Sequence, residues 1–230
     1  MTDLELEGYF VRSAIPLAPA QAEQLVRLFE RPHGDAAGAL EGRTAVTRAE
    51  LDGVGRVVVK HYMRGGFLRH LISSRYVRSG LTRSRVEYEM LERVRGLGVQ
   101  APEPIAHAER GGWLYRAWLV TREISDQQSL AEISRMDEER ARTAMGEVIR
   151  FLDLLISNGI FHVDLHPGNV VVDRTGGVYL LDFDKARAFP GARNELRDRY
   201  LHRWRRAVIK HELPDILAEC ACLGLRRSYA

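Results

Sequence analysis

The sequence predicts an α+β chain of two lobes, a small antiparallel-sheet N-terminal lobe and a compact, mainly helical C-terminal lobe. Three observations carry this. Residues 44–50 and 56–62 read as strands joined at the Asp52-Gly53 turn, and residues 105–110 and 113–123 as a second hairpin across Gly111-Gly112. Met145, Val148, Ile149, Leu152, Leu155 and Ile156 fall on one 3.6-residue stripe, the mark of a helix with a single buried face. Between that helix and the last forty residues, which read as helical, lie two short apolar runs, 170–172 and 178–181, separated by a Thr-Gly-Gly turn. A division after Glu123 gives lobes of residues 1–123 and 124–230.

The remaining elements follow in chain order. Residues 17–30 read as a short helix with Pro19 in its first turn and Leu25, Val26, Leu28 and Phe29 apolar. Residues 33–42 are rich in Gly and Ala and read as loop. Residues 67–78 form a basic amphipathic stretch expected to be helical. A clearer helix covers 82–97 and stops at Gly98, after which Pro102 and Pro104 break the pattern. Asn158-Gly159 ends the striped helix. Helical pattern returns near Asn194, with Pro214 as a break.

Composition narrows the class. A chain of 230 residues, 45% hydrophobic and 28% charged, fits a globular protein of one large domain or two small lobes. No apolar run approaches the roughly 20 residues of a membrane-spanning helix. The acidic start is unlike the basic head of a signal peptide. The two cysteines, Cys220 and Cys222, sit two apart in a helical stretch and so point to different sides; a disulfide is not expected, and a reducing cytoplasm is the default. The net charge is only +3, yet no acidic residue occurs from 53 to 86, a window holding Lys60 and seven arginines. A second basic cluster runs through Arg197, Arg199, Arg203, Arg205, Arg206 and Lys210. Such clusters are either solvated helix faces or surfaces that meet phosphates.

The chemistry concentrates in residues 162–184. There H-V-D-L-H-P-G-N leads into V-V-V-D, a turn, and V-Y-L-L-D-F-D. Asp164, Asn169 and Asp182 are oxygen-bearing side chains at the ends of two short buried strands. This is how a chain builds an ATP–Mg²⁺ phosphotransfer site: a base-like Asp164 for the acceptor hydroxyl, and Asn169 with Asp182 for the metal. Asp182 follows Leu180-Leu181, where a buried carboxylate would be costly unless a cation met it. His166 sits in a tight Pro-Gly loop and can orient that loop, touch substrate or satisfy a carbonyl.

Lys60 closes the run Val57-Val58-Val59 and is expected to grip nucleotide phosphates. It needs a carboxylate partner, for which Glu87 and Glu89 compete. Glu87 shares a face with Met90, Leu91 and Val94 and should point inward; Glu89 shares its side with Arg85 and Arg93 and should point to solvent. The other use of Glu87 is a capping box with Ser84, which requires a helix starting at Arg85. No G-x-G-x-x-G phosphate loop is present, and Gly42-Arg43 is the best candidate for that role.

Taken together, Val59-Lys60, Glu87, H-V-D-L-H-P-G-N and L-L-D-F-D resemble the protein-kinase-like fold, closest to its small bacterial sugar kinases. K-H-Y-M-R-G-G-F at 60–67, S-R-Y-V-R-S-G-L at 74–81, V-E-Y-E-M-L at 86–91, A-P-E-P-I-A at 101–106 and W-L-Y-R-A-W-L-V-T at 113–121 are more specific. They resemble the 3-deoxy-D-manno-octulosonic acid (Kdo) kinases of the lipopolysaccharide kinase family, over most of residues 40–210. The resemblance implies ATP-dependent phosphorylation of a Kdo hydroxyl, typically the 4-hydroxyl, on a lipid A precursor at the cytoplasmic face of the inner membrane. ATP and Mg²⁺ are the implied cofactors, Glu123 joins the nucleotide-binding set, and Kdo-lipid A and the anionic bilayer are the implied partners. Asp184 stands where protein kinases have Gly, Val163 replaces a common Arg, and the chain reaches the next helix by about Asn194, which leaves little platform for a peptide substrate. A heptose kinase of the same family is the nearest alternative, and a non-catalytic ATP-binding module the alternative from another class. A nucleic-acid partner is not expected, since it would explain the arginines but not the carboxylates.

Overall fold

The computed structural model describes residues 2–30, 45–62, 76–77 and 80–227. Gly42 and Arg43, and most of the basic stretch at 67–78, lie outside the described residues. The chain divides into two compact units, residues 1–89 with 103–123 and residues 90–102 with 124–230. The sequence-based division places its only boundary after Glu123; the structure adds one inside a helix, between Glu89 and Met90, and assigns 90–102 to the second unit.

The first unit is built on an antiparallel sheet. Its strands are β1 (Thr2–Leu6), β2 (Tyr9–Ser13), β3 (Ala45–Leu51), β4 (Gly55–His61), β6 (Pro104–Gly111) and β7 (Leu114–Arg122), in the order β1-β2-β6-β7-β4-β3. The short β5 (Tyr76–Val77) pairs with β7 at Tyr115 and Leu114. Tyr76 and Val77 are thus extended, which corrects the helical expectation at those two positions. The β1–β2 hairpin is absent from the sequence expectation. Its turn is Glu7-Gly8, with φ of 51° and 77°, the left-handed pair that a two-residue hairpin loop requires. Glu is a poor residue for the first of those positions, so the dipeptide does not announce a turn.

Helix α1 (Pro19–Glu30) turns Leu25, Val26, Leu28 and Phe29 onto the sheet, where they join Tyr9, Val57, Val59 and Trp118 in one core. Phe29 stacks on Trp118 at 5.2 Å between ring centroids. Gln24 hydrogen-bonds the Glu50 carbonyl at 2.9 Å and the Asp52 amide at 3.1 Å, tying α1 to the β3–β4 turn. Strand period does the rest: Val57, Val59 and His61 are buried, while Val58 and Lys60 belong to the opposite face. Helix α2 (Arg83–Gly96) ends as expected at Gly98, which has φ of 87°. There the Val99 amide donates to Val94 and the Gly98 amide to Arg95, closing the helix end.

The second unit centres on α4 (Glu138–Ser157), whose Met145, Val148, Leu152, Leu155 and Ile156 are buried as the stripe predicts; Ile149 is only partly buried, and Ala141, Ala144 and Phe151 are buried in addition. It packs against α3 (Leu130–Met136), α5 (Arg193–Lys210) and α6 (Ile216–Arg227). A three-stranded sheet orders β11 (Val178–Leu180), β10 (Val170–Val172) and β8 (Gln128–Ser129), and β9 (Ile160–Phe161) pairs with β12 (Arg187–Ala188). Cys220 and Cys222 in α6 are both free thiols. Among the described residues no helix is long and apolar enough to cross a membrane.

Candidate active site

In the first unit, Lys60 leaves β4 on the face away from α1 and meets Glu87 of α2. Its Nζ donates to Glu87 Oε1 at 3.0 Å and Oε2 at 2.9 Å, and the Tyr62 hydroxyl donates to the same carboxylate. The ion pair is largely buried, with side chains 15% and 4% exposed. Glu89 turns outward to Arg85 Nε at 2.7 Å. The capping box does not form. Helix α2 already starts at Arg83, the Val86 amide donates to the Thr82 carbonyl, and the Ser84 hydroxyl donates to the Ala108 carbonyl. Inward-facing Glu87 is thereby left for Lys60.

The side chain of Glu123, just past β7, is 7% exposed. Its carboxylate lies 3.1 Å from Arg48 Nε and 2.7 Å from Arg56 Nε, so protein cations occupy that side chain. Its amide donates to the Arg56 carbonyl.

In the second unit the 162–169 loop is held from several directions. The buried His162 donates its main-chain amide to the Tyr200 hydroxyl at 2.8 Å, and its Nε2 is 2.9 Å from the Leu181 carbonyl. Facing a carbonyl, Nε2 donates, and burial holds the pKa down to about 4, which keeps the ring neutral at pH 7. The Asn169 Nδ2 donates to the Asp164 carbonyl at 2.9 Å, and the His166 Nδ1 accepts the Gly168 amide at 3.0 Å. The latter bond leaves the His166 proton on Nε2; burial first, then the charge of His211, lowers its pKa. His166 therefore orients the loop, one of the roles its position allowed.

Asp164 is half-buried and clasped by two cations. Lys185 Nζ is 2.7 Å from Oδ2, and an Arg203 terminal nitrogen is 3.6 Å from Oδ1. Sequence reasoning missed both partners. The available signal for Lys185 was a cation directly after the L-L-D-F-D run; Arg203 had been counted only as one member of a basic cluster.

Hairpin register sets the spacing of the metal-donor candidates. Val170 pairs with Leu180, and the Leu181 amide donates to the Asn169 carbonyl at 2.8 Å. Asn169 is thus opposite the residue that precedes Asp182. Because Asn169 gives its Nδ2 to Asp164, its Oδ1 remains as an acceptor. Asp182 corrects one expectation: it is exposed, so desolvation does not single it out. Its backbone does. At φ of 61° it occupies the left-handed region that non-glycine residues rarely adopt, a strain that clusters at functional positions. Among the described residues no group of three or more His, Cys, Asp or Glu forms a closed metal cage.

Beside the loop lies an open pocket lined by Leu165, His166, Arg203, Arg206, Ala207, Lys210 and His211.

Residues 28–216 match the lipopolysaccharide kinase (Kdo/WaaP) family. A 3-deoxy-D-manno-octulosonic acid kinase of Vibrio vulnificus (strain YJ016) is 30% identical over 76% of this chain and 74% of its own. The protein of the same name from Photobacterium profundum is 29% identical over 80% of this chain and 78% of its own. Among solved structures, a rhoptry antigen kinase domain of Toxoplasma gondii overlaps with a TM-score of 0.42 at 16% identity, over 64% of this chain and 48% of that one.

Proposed function

Since the chain belongs to the lipopolysaccharide kinase (Kdo/WaaP) family, we propose that it transfers the γ-phosphoryl group of ATP to the 4-hydroxyl of Kdo on a lipid A precursor. The observation that carries the reading is Asp164: a carboxylate held between Lys185 and Arg203, in a loop whose last residue is brought by a β-hairpin beside Asp182.

In this reading Asp164 hydrogen-bonds the acceptor hydroxyl and takes its proton as that oxygen attacks the γ-phosphorus. The bond from the γ-phosphorus to the bridging oxygen breaks, and ADP leaves. Lys185 and Arg203 keep the carboxylate in one orientation, so the base is preorganised rather than recruited. Lys60, fixed by Glu87 and Tyr62, grips nucleotide phosphates as a point charge. Gly42-Arg43 serves as phosphate loop, and Glu123 contributes through its main chain, since its carboxylate is engaged by Arg48 and Arg56.

Asn169 Oδ1 and the exposed Asp182 carboxylate suit Mg²⁺, which takes one or two protein oxygens and completes its shell with phosphates and water. When bound, the ion neutralises charge on the β- and γ-phosphates.

The membrane-embedded acceptor implies peripheral contact with the anionic cytoplasmic face of the inner membrane. Trp113, 72% exposed at the tip of the β6–β7 hairpin, supports this, because an amphipathic ring at a loop tip suits the headgroup layer.

The test is phosphate transfer from γ-labelled ATP to purified Kdo-lipid A, with a heptosylated acceptor alongside. Label on the Kdo 4-hydroxyl is the expected result. Label only on heptose, or ATP binding without transfer, overturns it.

A further inference from the structure

The second basic cluster of the sequence is a helical face with a job left to assign. Arg203, Arg206, Ala207 and Lys210 follow an i, i+3, i+4, i+7 spacing, so α5 presents them together. What they meet is the Leu165-His166 corner of the catalytic loop, with His211 at the helix end closing the pocket. The His166 and His211 rings are 6.0 Å apart between centroids. No carboxylate lines this pocket. Among the described residues neither Arg206 nor Lys210 has an ion-pair partner, and the buried Arg203 Nε has no hydrogen-bond partner. Arg203 also reaches Asp164 at 3.6 Å, and the charges of Asp164 and Asp182 both act on His166.

Three permanent cations share this face, and among the described residues only Arg203 of them is ion-paired, so they repel one another unless an anion joins them. The relatives act on a sugar acid, whose carboxylate is ionised at neutral pH. We infer that the pocket formed by His166, Arg203, Arg206, Lys210 and His211 binds an oxyanion of the acceptor, the Kdo carboxylate, and thereby holds the sugar with a hydroxyl facing Asp164. This rests on the phosphotransfer reading above and deepens it. Arginine matches a planar carboxylate with paired N–H donors, and Lys210 adds a mobile cation at the rim. Arg203 then bridges the two functions, one end near the base and the other lining the acceptor pocket. A lipid A phosphate offers the same charge and is the other source of such an oxyanion.

The experiment uses the full chain as wild type and as the Arg206→Gln/Lys210→Gln variant, which leaves Asp164 and its two cations intact. Four acceptors are compared: Kdo-lipid A, its dephosphorylated form, its carboxyl-reduced form, and free Kdo. The variant is expected to raise KM for Kdo-lipid A about 10- to 100-fold, the loss of one or two charge-assisted hydrogen bonds. Its KM for ATP should stay within about twofold. Carboxyl reduction should cost wild type a similar factor and cost the variant almost nothing more. If removal of the lipid phosphates behaves that way instead, the oxyanion is a phosphate and the carboxylate assignment falls. A variant that matches wild type, or that loses ATP and acceptor alike, overturns the pocket. Direct titration of free Kdo separates this from the parent reading. If no acceptor is phosphorylated but wild type binds Kdo and the variant does not, the pocket stands and the transfer reading fails; if neither protein binds it, the pocket fails independently of turnover.

Discussion

Lys60 Nζ lies 2.9 Å from Glu87 Oε2, and the Tyr62 hydroxyl donates to the same carboxylate. The two partners stand 27 positions apart in the chain. The sequence contains a competing acid only two positions from Glu87, yet helix phase decides between them. Removing either member strands a buried charge, which costs about 3–5 kcal/mol for a fully buried pair; the slight exposure of Lys60 moves the expectation to the lower end. Lys60→Ala and Glu87→Ala should each lower the urea midpoint and abolish transfer, and the double variant should be little worse than either. Glu89→Ala breaks only a surface pair with Arg85 and should cost under about 0.5 kcal/mol. A damaging Glu89→Ala with a mild Glu87→Ala would reverse this assignment.

Asp164→Asn keeps the shape of the side chain and removes its capacity to take a proton. Turnover should fall about 10²- to 10⁴-fold, while ATP-induced thermal stabilisation stays near wild type. Stability should change by no more than about 1 kcal/mol, because Lys185 and Arg203 are partly exposed and can rehydrate. Near-normal turnover would remove Asp164 from the mechanism.

Asp182 offers a test that separates backbone from carboxylate. Its φ of 61° favours glycine, so Asp182→Gly should be more stable than Asp182→Ala by about 1 kcal/mol. Both variants lack the carboxylate, and both should lose the Mg²⁺-dependent part of the thermal shift with ATP. Survival of that part in either variant counts against a metal role.

His107 is buried on β6 against Tyr88, and neither of its ring nitrogens has a hydrogen-bond partner among the described residues. Burial holds its pKa down to about 4 from an ordinary value of 6.5. The folded protein therefore keeps the ring neutral, while the unfolded chain takes up a proton as pH falls below about 6.5. Stability from this group is complete above that pH and is lost as pH drops toward 4, with a slope of at most about 1.4 kcal/mol per pH unit. His162 acts in the same direction. Replacing His107 by Leu should flatten the decline of the urea midpoint between pH 6.5 and 4.5. An unchanged slope would show that His107 is not the group responsible.

Local periodicity was the legible part of this chain. The buried stripe of α4, the β-branched run of β4 and the turn residues at Asp52-Gly53 and Gly98 each act over a few residues, so their consequences can be read from neighbours alone. The β1–β2 hairpin was not legible because Glu7-Gly8 is an unfavoured turn dipeptide. The two-residue strands β8, β9 and β12 are too short to carry any pattern and exist only because a distant partner supplies the hydrogen bonds.

The sequence by itself determined the candidates, Lys60, an inward Glu87, and the Asp164, Asn169 and Asp182 set, because residue type, spacing and helix phase are properties of the chain. Tertiary structure alone decided what those groups touch. It put Lys185 and Arg203 on Asp164, took the Glu123 carboxylate for Arg48 and Arg56, and left Asp182 exposed on a left-handed backbone rather than buried. It also turned a row of cations on α5 toward the His166 corner. Periodicity says that Arg203, Arg206 and Lys210 share a face; only the packing of α5 beside the catalytic loop says what that face looks at, since contacts between distant segments depend on the whole fold and leave no local trace.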